Sequence, residues 1–225
     1  MKSPYNYSIL VPSGASEGRK YPAVFALHGI GYTDEDMLSL LQDLREEFII
    51  VAVRGNLTYE DGYAFYYLKE YGKPVRELFD EAVTKLQTFI DYATATYPID
   101  ENQRFLCGFS QGAILSATLG RLLGSRIRGI AALHGYVPDF LDAEFTVQSL
   151  EDVDVLVAHG SFDAVFPETI GHKTYEYMRE RARSVKYIVY PSEHEVTSDH
   201  QSDLLAWLRQ QVNQATKSST RALKP

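Results

Sequence analysis

The chain has 225 residues and a mass of 25.4 kDa, with 45% hydrophobic and 23% charged residues. This is enough chain for one domain with a substantial core, and the composition excludes a disordered chain, a collagen-like repeat and a disulfide-stapled small fold. With 22 Lys and Arg against 30 Asp and Glu, the net charge is -8, a balance that repels a phosphate backbone and excludes nucleic acid as an expected partner.

The longest apolar run, residues 48–53, is far shorter than the roughly 20 residues of a membrane-spanning helix, so no integral membrane association is expected. The opening Met1-Lys2-Ser3-Pro4-Tyr5 lacks a secretory pattern, and the single Cys107 has no partner for an internal disulfide. A cytoplasmic location is the expectation.

Taken in chain order, short β-branched runs alternate with helix-period segments, which predicts an α/β fold with a mostly parallel sheet covered on both faces. Strands are predicted at residues 5–11 and 23–28. Thr33 then opens a helix with a Thr-Asp-Glu-Asp capping pattern and apolar Met37, Leu40, Leu41 and Leu44. A strand at 49–54 follows. Beyond it, residues 56–72 carry many aromatics but fit neither a helical nor a strand period. Pro74 opens the clearest helix, whose Leu78, Phe79, Ala82, Val83, Leu86, Phe89 and Ile90 recur at three- and four-residue spacing. Further strands are expected at 104–109, 129–134, 153–159 and 186–190, with helices at 113–123 and 202–212. Nothing divides residues 1–212 into smaller units, so they read as one domain, followed by a flexible polar tail at 213–225.

Chemistry concentrates at the predicted strand ends. Gly108-Phe109-Ser110-Gln111-Gly112 is a G-x-S-x-G pattern between a strand and a helix, the setting in which a sharp turn exposes a serine hydroxyl above the sheet edge. A serine needs a base to take its proton and an acid to hold that base. Asp163 follows the strand at 153–159 and His194 follows the strand at 186–190, in the chain order this fold requires. Asp152 and Asp154 stand at the opposite end of their strand and read as surface residues, and His200 reads as a helix residue and a weaker alternative base. The backbone amides of Gln111 and of Ile30, in His28-Gly29-Ile30-Gly31, are the candidate oxyanion donors.

Gly29 and Gly31 also resemble the start of a dinucleotide turn, but Asp34 occupies the position of the third glycine and Arg54 the position of the ribose-binding acid. No cofactor is therefore expected. His28, His134 and His159 each end a strand, yet no carboxylate shares a metal-ligand spacing with them. No metal is expected, and the three are read as packed supports of the site.

These residues resemble the phospholipase/carboxylesterase family of the α/β-hydrolase superfamily, which includes acyl-protein thioesterases and small bacterial carboxylesterases. The resemblance rests on His28-Gly29-Ile30-Gly31, on Tyr97-Pro98-Ile99-Asp100 leading to the Gly108–Gly112 segment, on His159-Gly160 with Asp163 and Pro167, and on His194-Glu195. It covers residues 20–210. It implies Ser110 as nucleophile, Asp163 as acid, His194 as base, and Ile30 and Gln111 as oxyanion donors. The chain departs from the family at Ala113 and Glu193, and at 59–67, where an aromatic run replaces a glycine pair and a tryptophan. From that run Tyr63, Phe65, Tyr66 and Tyr67 are expected to line the substrate pocket. The expected activity is hydrolysis of small short-to-medium-chain esters, with acyl-protein thioesterase or lysophospholipase activity as the alternative. A hydrolase-fold binding protein is less favoured, and the protein is expected to act as a monomer or homodimer.

Overall fold

In the computed structural model, which describes residues 2–15, 18–70 and 72–222 with side chains as far as Asn213, a seven-stranded sheet forms the centre of the molecule. Its strands are β1 (Tyr7–Leu10), β2 (Tyr21–Leu27), β3 (Ile49–Val53), β8 (Ile99–Phe109), β9 (Gly129–Leu133), β10 (Leu150–Gly160) and β11 (Ala182–Tyr190). Their spatial order is β1-β3-β2-β8-β9-β10-β11. Only β1 runs antiparallel; it pairs with β3 through Tyr7–Val53 to Leu10–Ile50. Two small hairpins, β4 (Leu57–Tyr59) with β5 (Gly62–Ala64) and β6 (Leu68–Glu70) with β7 (Lys73–Pro74), occupy the aromatic segment.

Side chains on neighbouring strand positions point to opposite faces, and both faces are buried. On β2, Ala23, Phe25 and Leu27 join one core, which α2 (Arg76–Thr96), α3 (Gln111–Leu123) and α5 (Glu168–Arg179) cover with Phe79, Leu86, Leu115 and Met178. Val24 and Ala26 face the other core, closed by Met37 and Leu41 of α1 (Asp34–Leu41) and by Leu204 and Leu208 of α6 (Ser198–Ala222). Between β9 and β10 stands only the single turn α4 (Leu141–Glu144), so no large helical lid covers the sheet's carboxyl edge.

The Thr33 capping box is present in both directions: the Asp36 amide donates to Thr33 Oγ1, and the Thr33 amide donates to the Asp36 carboxylate at 2.8 Å. Pro74 lies in β7, ahead of the helix cap at Val75, rather than in the first turn of α2. The last helix starts at Ser198, ahead of the expected 202, with the Thr197 amide just before it donating to the His200 ring. Its backbone is helical to Ala222. The polar tail expected at 213–225 falls, from residue 214, outside the described side chains.

Asp154 corrects the surface reading. It is 2% exposed, and it gathers Arg128 at 2.7 Å, Arg183, and the Ser184 hydroxyl at 2.6 Å. The strand position between β9 and β11 buries the carboxylate, and those donors compensate it. Asp152 is exposed, as read. The two residues that spoiled the dinucleotide turn serve a structural purpose: Arg54 Nε donates to the fully buried Asp34 at 2.6 Å, and Ser8 of β1 donates to the same carboxylate.

Candidate active site

β8 turns into α3 at Ser110, which has φ 52° and ψ -115°. A non-glycine residue with positive φ is strained, and only tight surroundings hold it there. The surroundings are tight because the flanking glycines permit it. A Cβ at Gly108 would stand 2.1 Å from Gly112 O, and one at Gly112 would stand 1.9 Å from Leu27 O. The Ser110 amide donates to Leu133 O at 2.9 Å, fixing the turn to β9.

The structure brings the three residues of the expected triad together. His194 Nε2 is 2.9 Å from Ser110 Oγ, and His194 Nδ1 is 2.7 Å from Asp163 Oδ2. The ring therefore faces a hydroxyl with one nitrogen and a buried carboxylate with the other, the arrangement that lets an imidazole accept a serine proton. Asp163 Oδ1 accepts from the amides of Val165 at 2.9 Å and Phe166 at 2.7 Å. Burial pushes the carboxyl up, but the hydrogen bonds from His134, His194 and the Phe166 amide outweigh it and hold the group below the ordinary carboxylate range.

Ile30 lies in the turn after β2, and its amide makes no hydrogen bond among the described residues. A Cβ at the neighbouring Gly29 would come within 3.2 Å of Ser110 Cβ, so this turn presses directly on the elbow. The β4–β5 hairpin straps the turn: the Gly31 amide donates to Tyr63 O at 2.9 Å, and the Tyr63 amide donates to Tyr32 O at 3.0 Å. Below it, His28 Nδ1 meets Gly29 O at 2.7 Å while Nε2 accepts from the Gly55 amide, so the ring is a neutral, single-tautomer strut. Burial lowers its pKa.

The side chain of Gln111 crosses to the aromatic segment. Its Oε1 accepts from the Phe65 amide at 2.7 Å and its Nε2 donates to Tyr66 O at 2.9 Å. For Phe65 and Tyr66 this departs from the pocket-lining reading. Phe65 and Tyr66 are 4% and 1% exposed and belong to the core, Phe65 packing against Tyr5 and His28, and Tyr66 against Phe79. Tyr63 lies beside Arg54, whose guanidinium is 5.0 Å from the ring centroid, and Tyr67 is exposed with its hydroxyl donating to Thr58 O. The backbone of 65–66, rather than the rings, serves the site.

A cavity of about 540 Å³ instead opens between the Gly29 turn, α1 and the loop after His194, walled by Tyr32, Met37, Leu40, Phe109 and Val196. Composition alone could not find it, because its walls come from three distant segments. Cys107 is fully buried, and burial pushes its thiol up to about 12, so it stays protonated. Nδ1 of His134, an oxygen of Asp163 and a nitrogen of His194 lie within 4.8 Å of one another, the spacing of a metal cluster. Both Nδ1 atoms, however, are directed at the same carboxylate oxygen.

A mostly parallel sheet, with a serine at one strand-to-helix elbow and its histidine and aspartate beyond two later strands, is the α/β-hydrolase architecture. Within it the chain belongs to the phospholipase/carboxylesterase family, whose model matches residues 14–212, and it is a serine hydrolase of the carboxylic-ester type. The putative hydrolase MhqD of Bacillus subtilis is 22% identical over 202 residues, covering 87% of this chain and 96% of that protein. Acyl-protein thioesterase 1 of Yarrowia lipolytica is 27% identical over 139 residues, or 60% of each chain. Among solved structures, a Bacillus cereus carboxylesterase superposes with a TM-score of 0.80 at 21% identity, covering 93% of this chain and 95% of that one. That likeness speaks to the fold. Among the described residues, no helix is long and apolar enough to cross a membrane.

Proposed function

We propose that the protein is a carboxylesterase that hydrolyses small esters of short-to-medium acyl chains through an acyl-enzyme on Ser110. The observation that carries this reading is the in-line Ser110–His194–Asp163 pair of hydrogen bonds at 2.9 and 2.7 Å, set on a strained elbow. His194 takes the Ser110 proton as the oxygen attacks the ester carbonyl, and Asp163 stabilises the imidazolium that forms. The amides of Ile30 and Gln111 receive the oxyanion, each donor being worth about 2.7–4 kcal/mol of barrier. His194 returns the proton to the leaving alcohol, then activates the water that releases the acid. The cavity beside Gly29 has the size of a small-molecule site, and its apolar Tyr32, Met37, Leu40 and Phe109 alternate with polar Asp36, Gln42, Glu195 and Thr197.

Acyl-protein thioesterase activity is the second reading, favoured by the Yarrowia relative. The test is hydrolysis of p-nitrophenyl acetate, butyrate and octanoate and of a palmitoyl thioester by the protein and by Ser110→Ala, with circular dichroism on both. Turnover highest on the acetate or butyrate and reduced about 10³-fold or more in the variant is expected. A preference for the thioester moves the assignment to the second reading, and an active, folded Ser110→Ala overturns the mechanism.

A further inference from the structure

Asp163 Oδ2 is shared by two histidines. Besides His194, it contacts Nδ1 of His134 at 2.8 Å, and His134 Nε2 in turn lies 3.0 Å from Nε2 of His200. His200 Nδ1 completes the row at the start of α6, 3.2 Å from the Thr197 amide nitrogen and 2.7 Å from its hydroxyl. His134 and His200 are 0% and 1% exposed.

One donor in this row has a fixed direction, and it orients all the others. A backbone amide can only donate, so His200 Nδ1 accepts from Thr197. Neutral His200 then carries its proton on Nε2 and donates to His134 Nε2. His134 is left with its proton on Nδ1, aimed at Asp163. The carboxylate thus receives four donors: two imidazole N–H groups on Oδ2 and the amides of Val165 and Phe166 on Oδ1. His200 is the third residue of α6, so its ring accepts from the Thr197 amide as the Glu or Gln of a capping box would, which is one half of that motif.

We propose that His134 is a positioning residue for the acid of the triad, with its tautomer dictated through His200 by the Thr197 amide just ahead of α6. Backbone strain supports this role. His134 has φ 52°, like Ser110, and such a conformation persists only where the surroundings over-determine it. In its catalytic consequence the inference rests on the esterase reading; in its tautomers it does not.

The charged and titratable groups facing this row are few. Asp163, His159 and His194 face His134, with His159 stacked on it at 5.3 Å. Asp199, Asp203, His134 and His159 act on His200, whose ring stacks on Tyr190 at 3.8 Å. Burial outweighs the carboxylates and lowers both pKa values to about 4, so both rings are neutral at pH 7, as the directed row requires.

Two measurements test the proposal on the full chain. With ¹⁵N-labelled histidine at pH 7, NMR should report His134 as the Nδ1–H tautomer and His200 as the Nε2–H tautomer; the opposite tautomer, or an imidazolium, at either ring overturns the row whatever the activity. Kinetics then use His134→Asn, which keeps an N–H near the Nδ1 position and tolerates positive φ, and His134→Gly, which relieves the strain but has no donor. In the folded Gly variant kcat should fall about 10–100-fold. Its acid limb should move up by roughly half a pH unit or more, because a carboxylate with one donor fewer holds the His194 proton more tightly. The Asn variant should recover most of both. Equal losses in Asn and Gly, or an unmoved acid limb in a folded Gly variant, overturn the positioning role. If Gly does not fold, His200→Phe, which retains an aromatic ring against Tyr190, replaces it and should lower kcat about 10-fold; unchanged kcat there counts against the proposal. Loss of all turnover in the unmodified protein would instead remove the esterase reading and leave the tautomers standing.

Discussion

Gln111 contributes twice to the site, offering its amide beside Ser110 and spending its side chain on the backbone of Phe65 and Tyr66. Gln111→Leu keeps the volume and leaves a buried N–H and a buried C=O unpaired, each costing about 1–3 kcal/mol. The expected outcome is a loss of about 2–6 kcal/mol in urea denaturation together with reduced kcat, and a variant as stable as the parent would refute the clamp. At this scale the sequence was most readable where chemistry is local. Ser110, Asp163 and His194 each sit just beyond a strand, so adjacency alone nominated them. The partners of Asp163 were not readable in the same way. His134 lies 29 positions from Asp163 and 66 from His200, and no local pattern encodes such contacts. His200, weighed as an alternative base, faces His134 rather than Ser110.

Among the elements, the β4–β5 hairpin holds the turn that carries Ile30, and it does so at contact distance. A Cβ at Gly62 would lie 2.1 Å from Gly31 O, so Gly62→Ala must push the turn away from the elbow. With one oxyanion donor displaced, kcat should fall about 10²-fold while the far-UV dichroism stays unchanged, and unaltered kinetics would show that the hairpin is not a strap. Such hairpins escape sequence reading because strands of three residues give no period to detect. The helix α2 was legible for the opposite reason, its buried Phe79, Ala82, Val83, Leu86 and Ile90 repeating over 21 residues. No prediction covered α5, whose buried face is Gly171, Thr174 and Met178. Gly171 is required there because a Cβ would meet the His159 ring at 2.5 Å, so contact with the site, not hydrophobicity, set that face.

For the whole molecule, the neutral buried histidines make stability depend on pH. His134 and His200 hold pKa values near 4 in the fold against an ordinary value of 6.5. Between those limits the unfolded chain binds protons that the native chain refuses, so stability is full above about pH 6.5 and is lost as pH falls toward 4. Urea midpoints from pH 7 to 4.5 should decline, and His200→Phe should flatten the decline; a flat profile in the parent would contradict buried neutral rings. Asp163, held low, adds a further loss below its unfolded range. The α/β class and its mostly parallel sheet were written in the alternation of runs, but the spatial order of the strands was not, because it depends on which crossovers pass over which face.

The two ends of that sheet are unequal. One is closed by the four-residue, antiparallel β1, while the other is the nine-residue β11, the longer margin on which another chain's strand could lie. Arg183 and Lys186 stand on it, bound to Asp154 and to Asp203. Any strand laid along that margin would have to strip water from these ion pairs, so the contacts that knit β11 to β10 and α6 also set a desolvation cost on pairing at this edge.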